Sequence, residues 1–258
     1  MSFDADLNAC AALVERADPV RFRGAMAAPV AARKLLFPLY AFNVEVARAP
    51  WVTKEPMIAE MRLQWWRDVC EEIAEGRAVR RHEVSTPLSG VISRDDAQLL
   101  DELVAARRWD IYKDAFEDAG HFERYINQTS GHLTWAAARN LGEADEEVVR
   151  GAAFASGVAA WLLAIPELEA HGRVPLLDGT AQGVRDLAAN ALARLRKARA
   201  ERHKVSANAG VALLHVGQAE ATLRAAVKDP HAVGAGALSD PVRSDRFGLA
   251  YRAFTGRW

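Results

Sequence analysis

Apolar positions along this chain recur at steps of three and four, the spacing of a helix that buries one face. Phe3, Leu7, Cys10, Val14 and Ala17 form the first such stripe. Asp18-Pro19 ends it, because the residue before a proline is pushed out of helical dihedrals. Residues 30–47 read as the next helix, with a kink predicted at Pro38, which removes one backbone donor, and an end at Ala49-Pro50. Thr53 is placed to cap a third helix, and Pro56 falls in its first turn, where a missing N–H is tolerated. Ile58, Met61, Trp65, Val69 and Ile73 line one face of it before Glu75-Gly76. Residues 77–90 are polar and read as a loop. Ser93 with Asp96 resembles a capping box and opens a helix through Leu99, Leu103 and Ala106. A short helix or turn covers 109–116. A long helix spans 121–141, with Phe122, Tyr125, Ile126, Thr129 and Leu133 on one face and Gly142 as its stop. The most apolar helix, 146–165, stops at Pro166. A Gly/Pro loop at 171–179 leads to helices at 181–202 and 208–227 and a last short one in the tail from His231. No alternating strand pattern and no fixed-period repeat interrupts this order. Helices joined by short loops predict an all-α bundle in a single domain.

Composition narrows the classes. The chain has 258 residues, enough to bury a large core, and half of them are hydrophobic. The longest apolar run, 151–165, is shorter than the roughly 20 residues of a bilayer span and rich in alanine and glycine, so it reads as a buried helix. The opening MSFDADLNAC carries early acids and no basic flank, unlike a secretory signal or a transit peptide. Cys10 and Cys70 lie far apart and in no metal-like spacing, which fits a reduced, cytoplasmic setting. A net charge of −1 gives no general pull toward nucleic acid.

Candidate chemistry concentrates between positions 33 and 66, which hold three of the seven tryptophans. Tyr40, Asn43 and Glu45 stand near the end of the second helix, and Arg62, Gln64 and Trp65 belong to an Arg-Leu-Gln-Trp-Trp run. Glu45 either binds a ligand or pairs locally at the helix end, where an acid opposes the dipole. Arg33, Lys34 and Arg48 either hold an anionic head group without metal or are solvated charges. Trp65 packs in the core or lines a cavity; Arg62 and Trp66 read as surface positions. Tyr125 and Gly131 share the 121–141 helix. Gly131 weakens a helix by roughly 1 kcal/mol against alanine, so it marks a close helix approach or a ligand. His132 reads as an ordinary surface histidine. Helix 187–204, rich in arginine and lysine among leucines and alanines, is either a membrane-surface helix or an outer bundle helix with a charged face.

Tyr40-Ala41-Phe42, the run from Arg62 to Trp66, Tyr125 with Gly131, Gly157-Val158-Ala159 and the Gly172-Arg173-Val174-Pro175-Leu176 loop stand in an order that resembles the squalene/phytoene synthase family. The resemblance implies an isoprenoid-synthase-type helical bundle around a central cavity. It also implies two aspartate-rich patches facing each other across that cavity, holding magnesium against a diphosphate. This chain departs from the family at both. Where the first patch should carry acids stand Ala47, Arg48 and Trp51, and Val44 replaces an arginine. The interval of the second, 160–171, has no Asp and no Arg; Glu167 and Glu169 are two apart and do not share a helix face, and Pro166 is expected to break the helix there.

The Ala41-Phe42-Asn43-Val44-Glu45 run and the Met61–Trp66 segment resemble more closely a branch of the family that lacks the aspartate motifs and assists assembly of respiratory complex I. This branch implies a non-catalytic protein with no cofactor. Its partners would be complex I subunits or assembly intermediates and an isoprenoid or lipid ligand, with peripheral contact at the inner face of the inner membrane. The competing expectation is an isoprenoid-diphosphate prenyltransferase with a rearranged, magnesium-dependent site.

Overall fold

In the computed structural model, which describes residues 3–238 and 246–258, every named element is helical. The chain begins with α1 (Phe3–Ala17), which buries Cys10 and Val14 as its stripe requires; the side chain of Phe3 lies outside the described ones. The Asp18-Pro19 pair that ends α1 also starts α2 (Pro19–Ala27), an element absent from the reading by periodicity. The Asp18 carboxylate accepts the Arg21 backbone N–H, and Pro19 takes the first helical position, where it loses no bond.

α3 (Val30–Arg48) is the axis of the molecule. It is buried without interruption from Leu35 to Val44 and runs helically through Pro38. A helix apolar on every side belongs at the centre of a bundle, and α3 packs against α1, α2 and a short turn of helix, α5 (Ser85–Ser89), within the stretch read as a loop. α4 (Pro56–Ala74) has Pro56 at its first position, but Glu55, not Thr53, occupies its cap; the Thr53 hydroxyl accepts the Glu55 N–H instead. Its buried face is Ala59, Leu63, Trp66, Val69, Cys70 and Ile73. Ile58 and Met61 are exposed, so the predicted stripe holds only for the second half of the helix. The reason is the packing partner. α6 (Arg94–Ala106) lies against α4, clamped by a bidentate Arg67–Asp101 pair at 2.7 and 2.9 Å, and it reaches Leu63 and Val69 but leaves the first turn uncovered. The capping box at Ser93 and Asp96 is present.

A 3₁₀ turn (Arg107–Asp110) leads to α7 (Ala119–Ile126), which passes through a π-helical turn at Asn127–Gly131 into α8 (His132–Leu141). α9 (Glu146–Ala170) continues through Pro166 instead of ending there. Burial of Ile165 and Leu168 on either side of the proline holds the last turn against one lost backbone bond. Among the described residues α9 alone is long and apolar enough to cross a membrane by length and composition, and 67% of its most apolar window is buried against the other helices. α10 (Ala181–Ala200) packs on α9. The predicted 208–227 helix is two pieces, α11 (Ala207–Gly210) and α12 (Val216–Lys228), separated by a 3₁₀ turn. The Trp258 side chain occupies the space beside Gly210. α13 (His231–Gly234) and α14 (Arg246–Thr255) complete the chain, and one contiguous apolar core runs from Cys10 to Trp258.

Candidate functional site

A cavity of about 310 Å³ opens between α3 and α9, near the lower end of the range for small-molecule sites. Asn43 and Ala47 of α3 line one wall at a helical step of four, and Trp51 follows one further step beyond the helix end. α9 supplies the facing wall through Gly157, Ala160, Trp161 and Ala164, with Glu167 at the rim. Steps of three and four along α9 keep these small residues on one side. Arg21 enters from the first turn of α2, and the 3₁₀ turn adds Arg107 and Asp110.

The polar groups of this wall fall into two sets. The first is satisfied by the protein. Asp110 is buried, and both of its carboxylate oxygens accept from the Tyr125 hydroxyl at 2.9 Å. The Arg107 guanidinium donates to the same carboxylate at 3.2 Å and to the Tyr125 oxygen at 2.8 Å. Burial, with the neighbouring carboxylate, pushes the Tyr125 hydroxyl far above its ordinary value, so it stays a donor. Thr129 and Ser130, in the π turn, spend their hydroxyls on the carbonyls of Tyr125 (2.7 Å) and Ala153 (2.9 Å) and present carbon to the cavity. Arg21 holds Asp18 at 2.6 Å.

The second set is unpartnered. Among the described residues no hydrogen bond reaches Nε of Arg21 or Arg107, although both atoms are buried, and none is made by the buried Asn43 amide. Buried donors without partners are uncommon in folded proteins; both Nε atoms are enclosed by protein, and the rest of each side chain lines the cavity. The cavity therefore combines alanine and tryptophan surfaces with two cationic donors and an amide.

Arg173 sits beside the cavity, against Trp51 of its wall. This buried guanidinium donates to the main-chain carbonyls of Trp109 (3.1 Å), Asp110 and Tyr112, and lies 5.3 and 5.2 Å from the rings of Trp51 and Trp109. Burial pulls its basicity down, offset in part by Asp110. Trp161 donates its indole N–H to the Pro175 carbonyl at 3.0 Å, tying the same loop to α9.

Of the residues singled out by sequence, Asn43 and Tyr125 line the cavity. Tyr40 lies one helical turn along the same face, buried against His215 and beneath Arg21. The others are placed elsewhere. Arg33 donates to the Met26 and Ala28 carbonyls at 2.8 and 3.3 Å and so finishes α2. Glu45 and Arg48 pair with each other, and Lys34 is exposed, so these cations form no common cradle. Arg62 is exposed, and Gln64 donates to Asp68 at 2.8 Å. Trp65 is half-buried, perpendicular to Trp66, with Arg80 over its ring; Trp66 is the buried member of the pair, packed on Phe42, and not a surface position. The reversal follows from Phe42 of α3 and the His82 ring packing on Trp66. Gly131 does not line the cavity; a Cβ there would meet the side-chain ends of Asn127 (2.4 Å) and Arg150 (3.2 Å), not the backbone of a neighbouring helix. His132 is buried, 2.8 Å from Glu102 and 3.1 Å from Arg150, rather than on the surface.

Of the places expected to carry magnesium ligands, Ala47 and Trp51 stand on one wall, Arg48 pairs with Glu45, and the 160–171 interval gives the other wall Ala160, Trp161, Ala164, Leu168 and one acid, Glu167. Among the described residues no group of three His, Cys, Asp or Glu side chains is placed to hold a metal ion. Hard cations want several oxygen ligands, so these residues do not fit a magnesium site.

The squalene/phytoene synthase family model matches residues 14–176. The chain belongs to this family. Its fold is that of a dehydrosqualene synthase solved with a ligand (TM-score 0.78, 13% identity, 98% of this chain and 95% of that one). It is also that of squalene synthase HpnC from Alicyclobacillus acidocaldarius (TM-score 0.72, 18% identity, 89% and 95%). The family bundle and its central cavity are thus as the motifs implied. In sequence the chain is similar to a Drosophila melanogaster protein named NADH dehydrogenase (ubiquinone) complex I, assembly factor 6 homolog, 30% identical over 61% of this chain and 50% of that one. It is also similar to assembly factor 6 of Bos taurus and Homo sapiens, each 24% identical over 64% and 61% of this chain and 51% and 48% of theirs. The chain spans about half the length of these relatives.

Proposed function

We propose that this chain is a non-catalytic family member that assists assembly of respiratory complex I, its cavity holding a single ligand with an apolar body and a polar or anionic head. The observation that carries the proposal is the pair of facing walls, Ala47 with Trp51 and the 160–168 stretch whose one acid is Glu167, where diphosphate ionisation would need metal held by several carboxylates. The apolar body would lie along the alanine faces and Trp161; the head would meet the Arg21 and Arg107 guanidinium groups and the Asn43 amide. The relatives' names support the assembly role. Its place of action would be the membrane face at which complex I is built.

The test is pyrophosphate release from farnesyl and geranylgeranyl diphosphate by the purified protein, with and without magnesium, beside an active family member. No release is expected; magnesium-dependent release would replace this reading with that of a prenyltransferase. Deleting the gene is expected to lower membrane NADH:quinone reductase activity, and an unchanged activity refutes the assembly role.

A further inference from the structure

The half of α4 that the apolar spacing assigns to the core stands in solvent. Met57 is 76% exposed, Met61 67% and Ile58 45%, and the loop before the helix adds Val52 at 50% and Trp51 at 40%. Scattered apolar side chains on a surface need no explanation, but a contiguous group does. Met57, Ile58 and Met61 share the first half of α4, and Trp51, in the loop before it, is exposed and also lines the cavity. Glu60, between Met57 and Met61, accepts from the exposed Tyr112 hydroxyl at 3.0 Å and pairs with Arg108 at 2.8 Å. Trp51 touches the His171 ring at 5.3 Å, and it is itself part of the cavity wall.

We infer that this patch docks the protein on a lipid bilayer with the cavity mouth turned toward the acyl chains. Two observations favour a bilayer over a protein surface. The first is continuity. Trp51 is both exposed and part of the cavity wall, so a bilayer on this face would bring its apolar region up to the cavity lining; this clause rests on the ligand reading given under Proposed function. The second is side-chain type. Trp51 and Tyr112 have the amphipathic rings that settle at headgroup depth, and two methionines and an isoleucine supply flexible apolar depth below them. Lys54, Arg62 and Lys113 are exposed and, among the described residues, in no ion pair, but Glu55 and Asp114 stand near them in the chain. Apolar burial, more than charge, therefore carries the docking. The basic helix α10 is not the docking element. Arg194, Lys197 and Arg199 are held by Glu123, Glu147 and Glu220, and its leucines 192 and 195 are buried.

The test is flotation of the purified full chain with vesicles of phosphatidylcholine alone and of phosphatidylcholine with phosphatidylglycerol. The chain is expected to float with both, somewhat more with the anionic mixture. A triple variant, Met57→Ser with Ile58→Ser and Met61→Ser, should lower partitioning about tenfold or more while its circular dichroism is unchanged. Lys197→Ala on α10 should bind as the parent does. Brominated lipid should quench tryptophan fluorescence in the parent and less in Trp51→Phe. Failure of the parent to float with either vesicle overturns the inference, as does undiminished flotation of the triple variant. Loss of binding to a complex I intermediate in that variant, when the parent ignores vesicles, overturns it in favour of a protein interface. Vesicle binding is read on the isolated chain, so it stands or falls separately from the assembly role: flotation with a dispensable gene keeps the docking and removes the assembly reading.

Discussion

Around the cavity this protein keeps charges inside; along the first half of α4 it leaves apolar side chains outside. The two regions meet at Trp51 and invert the usual rule in opposite directions. The interior charges are tolerable because Asp110, Tyr125 and Arg107 satisfy one another within 3.2 Å, leaving only a few donors for a ligand. The exterior methionines are left exposed by the described residues. A buried polar group thus shows how its surroundings answer it, whereas an exposed apolar face shows only that something outside the chain is missing.

The sharpest way to break this contrast is Asp110→Ala. Removing the carboxylate strands the Arg107 guanidinium and should cost about 3–5 kcal/mol in urea-induced unfolding; a change near zero would mean the trio is solvated rather than buried. Tyr125→Phe deletes one donor and leaves the ion pair, so about 1–2 kcal/mol is expected in the same measurement.

A pH series sharpens it further. Burial, aided by Arg21, pulls the His215 imidazole from 6.5 to about 3, and its Nε2 has no partner. The folded protein then binds this proton more weakly than the unfolded chain does, so stability is fully present above pH 6.5 and declines as pH falls toward 3. His215→Gln should make thermal stability fall less steeply in that window; an identical pH profile would show that another group governs it. The smallest effect belongs to the other region. Met57→Ser and Met61→Ser should each change stability by no more than about 0.5 kcal/mol, because no buried contact is lost; a loss above 2 kcal/mol would place these side chains in a packed interface.

The same contrast separates what the sequence made legible from what it hid. Three- and four-residue spacing located α1, α3, α6 and α9, and the absent acids at Ala47 and Trp51 could be seen before any coordinates. α2 is hidden because Asp18-Pro19 reads as a stop, although an acceptor followed by proline is also how a helix begins. With α2 went Arg21, a wall residue of the cavity. Arg107 and Asp110 sit in a 3₁₀ turn with no apolar period to announce it, so Tyr125 alone of that trio was visible. For α4 the stripe was legible but its partner was not, since periodicity counts apolar faces and says nothing of what covers them. The cations Arg33 and Arg48 looked like a cradle because chain neighbours are easily mistaken for spatial ones; one finishes a helix and the other closes an ion pair.

Arg173 donates to three main-chain carbonyls of the segment beside the cavity, and its guanidinium also lies over the Trp109 ring. Carbonyls are common to all twenty amino acids. Residue 112 can therefore drift without loosening these hydrogen bonds, whereas Trp109 and Asp110 are held by their side chains as well, and a single change at Arg173 releases all three carbonyls. A random-mutagenesis screen for a loosened 109–112 segment should thus return Arg173 far more often than Tyr112.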